Sequence, residues 1–319
     1  MTASQAGPMK VLFVAGTARS GSTLLDVLLG QIDGFFSGGE IRRLWLDGLI
    51  RGRLCGCGQP LTTCEVWSAV LADFEKRRGR PTDPSTMIAL QQEATDLSHL
   101  RKVLAESPGT QQWDYLNRYT DALDDLFLSI QSVTHARVLI DSSKRPTEAA
   151  VLRLLPGIDP YLLHLVRDPR GVAMSMQRDV SMQPQSEADA AKMAKSSSKR
   201  SARLWMQWNS AAELVRRKYG PERCIRVRYE DLVSRPQATL REIASFVGEP
   251  YSGANISDDN LATLKGNHTA WGNPSRFKTG EVRIRRDDAW KEQLSRSDKR
   301  TTTMIGAPLL FRYGYPLRV

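Results

Sequence analysis

The chain has 319 residues, 41% of them hydrophobic, which is enough to bury a proper core as one large α/β domain or two small ones. Lys and Arg outnumber Asp and Glu 45 to 35, and the net charge of +10 suggests an anionic partner. No Lys/Arg block is interleaved with aromatics, so nucleic acid is set aside as the main ligand and a polyanionic nucleotide accounts for the charge as well.

In chain order, Met9 to Ala15 predicts a buried strand, Gly16 to Gly21 a tight loop, and Ser22 to Gln31 a helix carrying Leu24, Leu25, Val27, Leu28 and Leu29. From about 65 to 131 the pattern is helical, with Trp113, Leu116, Thr120, Leu123, Phe127 and Ile130 on one face, which reads as a helical insertion beside a sheet. Arg137 to Ile140 and Tyr161 to Val166 are short strands, each followed by a loop and a helical pattern. Ser181 to Ser201 is polar, either a solvated helix or a mobile segment over the site, and leads into a long helix through Trp205 and Trp208. Cys224 to Tyr229 is a fourth strand, and the chain after Ser252 is basic and loop-rich, with short helices from Asp287 onward. Strands alternating with helices imply an α/β fold with a parallel sheet covered on both faces, taken here as a single domain over 1–319. No apolar run suits a secretion signal or a bilayer span, and four cysteines make no disulfide framework, so the expected compartment is the cytoplasm.

The strongest signal is Gly16-Thr17-Ala18-Arg19-Ser20-Gly21-Ser22-Thr23, lying between a strand and a helix as a phosphate cradle should. A nucleotide triphosphatase needs Lys after the second glycine; Ser22 stands there, and Arg19 is the only cation of the loop. The site is therefore poorly suited to a triphosphate with magnesium and suits a 5′-phosphate carrying a small, singly charged leaving portion.

These residues resemble the first signature of the PAPS-dependent sulfotransferase superfamily (PAPS, 3′-phosphoadenosine 5′-phosphosulfate; PAP, its product), with Ala18 in place of the usual Pro. Arg167-Asp168-Pro169-Arg170-Gly171-Val172-Ala173-Met174-Ser175 is similar to the second, Tyr229-Glu230-Asp231-Leu232 to a third, and Gly272 to Gly280 to the closing loop, here about 266–286. The resemblance runs from residue 10 to about 280 and implies a P-loop-like sheet with the helical insertion over the acceptor site. It implies that Arg19, Ser20, Gly21, Ser22 and Thr23 hold the 5′-phosphate, that Arg167 and Ser175 hold the 3′-phosphate, and that Tyr229 lies beside the adenine. Arg276, Lys278 and Gly280 would close on the 3′-phosphate.

Sulfuryl transfer has a loose transition state, so the protein positions the partners and offsets charge without a metal. Lys144, in Asp141-Ser142-Ser143-Lys144-Arg145-Pro146 after a strand, is placed to reach the bridging oxygen with Arg19; the alternative is a surface lysine in a helix-initiating turn. The histidine used as base by cytosolic members is replaced by Lys144, whereas Gly38-Gly39-Glu40 resembles the glutamate base of tyrosylprotein-type and several bacterial members. Glu40 is thus the expected general base, with a helix cap before Ile41 as its plain alternative and His268 as the reserve. His164 reads as a core residue, and His99 and His135 have no motif around them. Cys55, Cys57 and Cys64 look like metal ligands but lack a fourth partner and the usual pair spacing, so a structural loop is expected, with zinc or a redox-sensitive disulfide as alternatives.

The expected partner is a small-molecule, carbohydrate or lipid hydroxyl acceptor, with Trp113, Tyr115 or Trp205 as candidates to line its site; a homodimer is compatible with the sequence. The Ala, Arg and Asp bias hints at a bacterial source. Two rivals remain: a P-loop nucleotide kinase or NTPase with Val138 to Asp141 as its acidic strand, and a non-catalytic PAPS- or PAP-binding module.

Overall fold

The computed structural model describes residues 8–178 and 195–318. The greater part of the polar Ser181 to Ser201 stretch lies outside the described residues. Five parallel strands form the central sheet: β1 (Met9–Gly16), β2 (Phe35–Gly39), β3 (Val138–Lys144), β4 (Ile158–Val166) and β5 (Cys224–Arg228), in the order β2-β3-β1-β4-β5. β1 is the middle strand. Its apolar run is continuous because both faces of the sheet are covered.

Side chains alternate across the sheet with the period of two that a strand imposes. Leu12 and Val14 enter one core with Ile140 and Leu163, closed by α1 (Ser22–Leu29). Val11 and Phe13 enter the opposite core with Leu139 and Leu162, closed by α2 (Glu65–Arg78), α3 (Pro84–Thr95), α4 (Leu100–Ala105), α5 (Asp114–Thr134) and α6 (Pro146–Leu152). The helical stretch is therefore real, broken at 79–83 and 106–113, and α5 buries Leu116, Thr120, Leu123, Phe127 and Ile130 as its periodicity predicts. Phe127 is fully buried, and its truncation to alanine is expected to cost about 3–5 kcal/mol.

α7 (Pro169–Gln177), α8 (Ser198–Tyr219), α9 (Tyr229–Ser234) and α10 (Pro236–Phe246) complete the layers around β4 and β5. Beyond them β6 (Leu261–Leu264) and β7 (Gly280–Arg283) form an antiparallel pair, followed by α11 (Trp290–Gln293) and α12 (Arg296–Arg312). α12 is longer than the short helices expected there. It packs on α7 and α8 through Leu309 and Leu310, with Tyr313 and Tyr315 just beyond it, against Val166, Val172 and Trp205. No helix among the described residues is long and apolar enough to cross a membrane.

Two strands depart from expectation in ways that shape the site. β2 has no counterpart among the predicted strands. β3 continues past Ile140 through Asp141-Ser142-Ser143 to Lys144, because the buried polar groups find partners: Ser142 Oγ donates to Asp26 (3.0 Å) and the Ser143 amide to Asp141 (2.9 Å). Both strands are irregular at their carboxyl ends. Phe13 pairs with Asp141 but Ala15 with Lys144, and Ser37 pairs with Ile140 but Gly39 with Asp141, so each strand gains a residue there. Such bulges re-aim the side chains that follow, here Glu40 and Lys144.

Candidate functional site

The five parallel strands each deliver one element of the site at their carboxyl ends, where open α/β sheets bind ligands. β1 runs into the glycine loop, β2 into Glu40, β3 ends on Lys144, β4 runs into Arg167 and β5 into Tyr229. Residues from all five border one cavity of about 450 Å³, a size suited to a small ligand. In the loop, Arg19 (φ 68°) and Gly21 (φ 89°) adopt left-handed backbone. A Cβ on Gly21 would lie 2.5 Å from the Tyr229 ring, so only glycine lets β5 and the loop close together. No side chain caps α1, which leaves its first amides to the cavity mouth at Ser22 and Thr23.

One half of the cavity is strongly cationic. Arg167 donates to the Arg19 carbonyl (2.9 Å), lies over the Tyr229 ring (4.2 Å), and pairs with Asp287 (3.2 Å). Arg178 pairs with the same carboxylate at 2.8 Å. Burial acts to raise the Asp287 pKa, but the Arg178 hydrogen bond and the two guanidinium charges outweigh it and hold it below the usual carboxylate range. The Arg19 guanidinium has no described hydrogen-bond or ion-pair partner; burial, and then the charges of Arg167 and Arg178, pull its pKa down. Ser175, on α7, and Lys278 also border this cavity, and Thr23 Oγ1 accepts from the Asn273 amide (3.0 Å), which fastens the 272–279 loop over α1.

The other half is built around an ion pair, Lys144 Nζ to Glu40 Oε1 at 2.5 Å. Lys144 also donates to the Ser142 carbonyl (3.1 Å). Behind the pair, fully buried Asp26 accepts from Ser37 of β2 (2.9 Å) and Ser142 of β3 (3.0 Å), and Ser37 Oγ in turn lies 3.0 Å from Thr269 Oγ1. Burial pushes the Asp26 carboxyl up to about 7, against the hydrogen bonds from Ser37 and Ser142. Burial likewise pushes Asp141 up to about 8, opposed by its bond from Ser143. This polar network joins the strands that carry Glu40 and Lys144.

A model of the sulfotransferase family matches residues 12–253, most of the chain. The chain belongs to the sulfotransferase family. Among solved structures it is similar to the sulfotransferase domain from the curacin biosynthetic pathway, at 19% identity over 98% of this chain and 100% of that one, with a TM-score of 0.54. It is also similar to the sulfotransferase domain of the Synechococcus PCC 7002 olefin synthase (20% identity, 100% and 99% covered, TM-score 0.47) and to retinol dehydratase in complex with retinol and PAP (16%, 98% and 84%, 0.44). The likeness to the curacin-pathway domain is one of fold. No curated protein sequence matches the chain.

Several residues singled out in the sequence lie elsewhere in this sulfotransferase. Arg276 is fully buried and turned away from the cavity, donating to the Gly272 (2.7 Å) and Leu54 (3.0 Å) carbonyls; burial pulls its pKa down to about 10. It fastens the closing loop from inside, and the loop's cation at the cavity is Lys278. Gly280 opens β7 with an exposed, left-handed backbone (φ 78°) and does not border the cavity. Ser20 is buried with its hydroxyl 2.8 Å from that of Thr17, so its role in the loop is internal. His268 is outside the cavity, its Nδ1 3.2 Å from Cys64 Sγ, which removes the reserve base.

His164 is a core residue as expected: its Nε2 is 2.8 Å from Asn209 Oδ1, and burial lowers its pKa to about 4. The helices between 65 and 131 contribute no residue to the cavity wall, and neither Trp113, Tyr115 nor Trp205 borders it. The wall beyond Glu40 and Lys144 is formed instead by Arg42, Arg43, Ser143, Arg145 and Trp208. Arg42 pairs with Glu148 (2.7 Å) and Arg43 with Asp47 (2.9 Å), but Arg145 pairs with no described carboxylate and lies 6.0 Å from the Trp208 ring. Arg42 and Arg43 follow the Glu40 motif and Arg145 follows Lys144, so each motif brings cations to the cavity beside the residue that marked it in the sequence.

Proposed function

We propose that this sulfotransferase moves a sulfuryl group from PAPS to a hydroxyl of a small-molecule, carbohydrate or lipid acceptor. The observation that carries the reading is the division of one cavity between a cationic half, in which Arg19 has no ion-pair partner among the described residues, and a half built on the Glu40–Lys144 pair. The chemistry of the donor set fits PAPS. Arg19, Ser22, Thr23 and the loop amides suit the 5′-phosphate, while Arg167, Ser175 and Lys278 suit a 3′-phosphate. Serine rather than lysine at position 22 disfavours a nucleoside triphosphate with magnesium.

In this reading Glu40 accepts the proton of the acceptor hydroxyl as its oxygen bonds to sulfur. The bond from sulfur to the bridging oxygen breaks in the same step, and Lys144, together with Arg19, offsets the negative charge that develops on that oxygen. Binding of the two substrates draws Lys144 from Glu40 toward the donor and frees the carboxylate. The guanidinium of Arg145, which has no carboxylate partner among the described residues, with Arg42 and Arg43 beside it, favours an acceptor that carries an anionic group away from its reacting hydroxyl.

Appearance of PAP from PAPS, followed over a panel of hydroxyl compounds with and without a carboxylate, tests the reading. Turnover that disappears in Glu40→Gln while PAP binding persists supports it. A chain that binds PAP yet turns over no acceptor would favour the non-catalytic binding module.

A further inference from the structure

The three cysteines that lacked a fourth partner in the sequence acquire one in the fold. Cys55 and Cys57 lie in the turn before α2, Cys64 stands at the α2 N-cap, and His268 arrives from a segment 204 positions further along the chain. Cys64 Sγ lies 3.6 Å from Cys55 Sγ and 3.2 Å from His268 Nδ1, and the four ligand atoms of Cys55, Cys57, Cys64 and His268 all fall within 4.8 Å of one another. Tetrahedral zinc, with bonds of about 2.3 Å to sulfur and about 2.0 Å to nitrogen, sets its ligand atoms roughly 3.5–3.8 Å apart. The Cys55–Cys64 separation already has that size, Cys64 and His268 stand slightly closer, and the remaining ligand atoms need to draw in by about 1 Å at most.

We propose that Cys55, Cys57, Cys64 and His268 bind one zinc ion in a closed structural site. Three soft thiolates and an imidazole are a donor set that selects zinc over magnesium or calcium, and four protein ligands leave no open position for chemistry. The surrounding turn is built to present them. The Cys55 amide donates to the Gln59 carbonyl (2.8 Å), the Gly58 amide to the Cys55 carbonyl (2.8 Å), and the Cys64 amide to the Pro60 carbonyl (2.8 Å). Gly58 supplies the left-handed turn (φ 85°). The backbone of His268 is held by Trp67 Nε1, which donates to its carbonyl (2.5 Å), and Glu65 Oε1 lies 3.5 Å from its Nε2. A carboxylate hydrogen-bonded to the far nitrogen of a ligating histidine fixes the ring's tautomer and orientation, and Glu65 is near enough to take that place when the ring binds an ion.

The ion clamps the 55–64 turn to the segment 268–271, and that segment borders the proposed base. The Gly56 amide donates to the Thr269 carbonyl (2.9 Å), Ala270 to the Gly38 carbonyl (3.0 Å), and Glu40 to the Trp271 carbonyl (2.9 Å). A Cβ on Gly39 would meet the Thr269 methyl at 2.3 Å, so the two segments are in direct contact. The zinc site thus positions the Glu40 backbone from outside the cavity, and it stands whether or not sulfuryl transfer is the reaction.

The test uses the full chain, without a histidine tag, purified under reducing conditions with added zinc and then desalted. Elemental analysis is expected to find one zinc per chain, and cobalt exchanged into the site to give the intense visible and thiolate charge-transfer bands of a tetrahedral centre. Cys57→Ser, at an exposed position where folding is retained by circular dichroism, is expected to lower retained zinc at least tenfold and to weaken the charge-transfer band. A folded wild-type chain that retains no zinc overturns the proposal. So does a Cys55–Cys64 disulfide in the native protein, or an unchanged zinc content and cobalt spectrum in Cys57→Ser.

Discussion

Glu40 and Lys144 leave the neighbouring strands β2 and β3 through bulges and meet as an ion pair of 2.5 Å, each less than one-fifth exposed. The pairing joins the two groups to which proton removal and leaving-group stabilisation are assigned, so their losses should differ in kind. Glu40→Gln is expected to lower kcat by about 10²–10⁴-fold with PAP affinity within a few-fold of wild type, because no proton acceptor remains. Lys144→Ala is expected to lower kcat as well, the loss falling on the donor's bridging oxygen, and donors with better leaving groups should rescue it in part. Steady-state kinetics on both variants separates the roles; equal rescue by an improved leaving group would contradict them.

Asp287 holds both Arg167 and Arg178, so under the proposed reading a 3′-phosphate competes with it for Arg167. Asp287→Asn removes the competing charge while keeping the side chain's shape. PAP affinity is expected to rise by about three- to tenfold, since the unliganded state loses its internal counter-ion. Calorimetric titration of the variant measures this. Weaker binding would show that Asp287 serves instead to orient the two arginines.

Asp26 links β2 and β3 beneath the ion pair, and burial raises its pKa to about 7. Between the ordinary carboxylate value near 4 and about 7, the native protein keeps a proton that the unfolded chain has released. Stability conferred by Asp26 is therefore full below the lower value, falls as pH rises through this window, and is level above it. Asp26→Asn removes that dependence. In denaturant titrations from pH 5 to pH 8, wild type should lose stability relative to the variant as pH rises, by at most about 3 kcal/mol. A gap that moves the other way would mean that the network stabilises the ionised form.

Arg145 faces the cavity without a carboxylate partner among the described residues. Its replacement by alanine is expected to raise KM for an anionic acceptor by about tenfold or more, with little effect on PAP affinity. Neutral acceptors should be indifferent to the change. An equal effect on both acceptor classes would assign Arg145 a packing role against Trp208.

Much of this arrangement is legible in the sequence because it is local. The loop from Gly16 to Thr23 lies between a strand and a helix whose patterns are unambiguous, and the Arg167/Ser175 spacing is set by one strand end and one helix. β2 was not legible: Phe-Phe-Ser-Gly-Gly has two large apolar residues and no period, and it forms a strand because β3 offers it a register. Likewise, Arg276 and Lys278 look alike in sequence, yet the short helical turn Pro274–Phe277 sends the first inward and leaves the second at the cavity. The meeting of His268 with three cysteines could not be read from spacing, since only the tertiary fold brings together positions so far apart along the chain.

The central claim is that the cationic half of the cavity recognises a 3′,5′-bisphosphate without a metal. Calorimetry of PAP against ATP, with and without magnesium, on wild type and Arg167→Ala, tests it most directly. The account predicts metal-independent binding of PAP in preference to ATP, weakened at least tenfold in the variant. A preference for ATP with magnesium, or affinity indifferent to Arg167, would contradict it and return the glycine loop to the kinases.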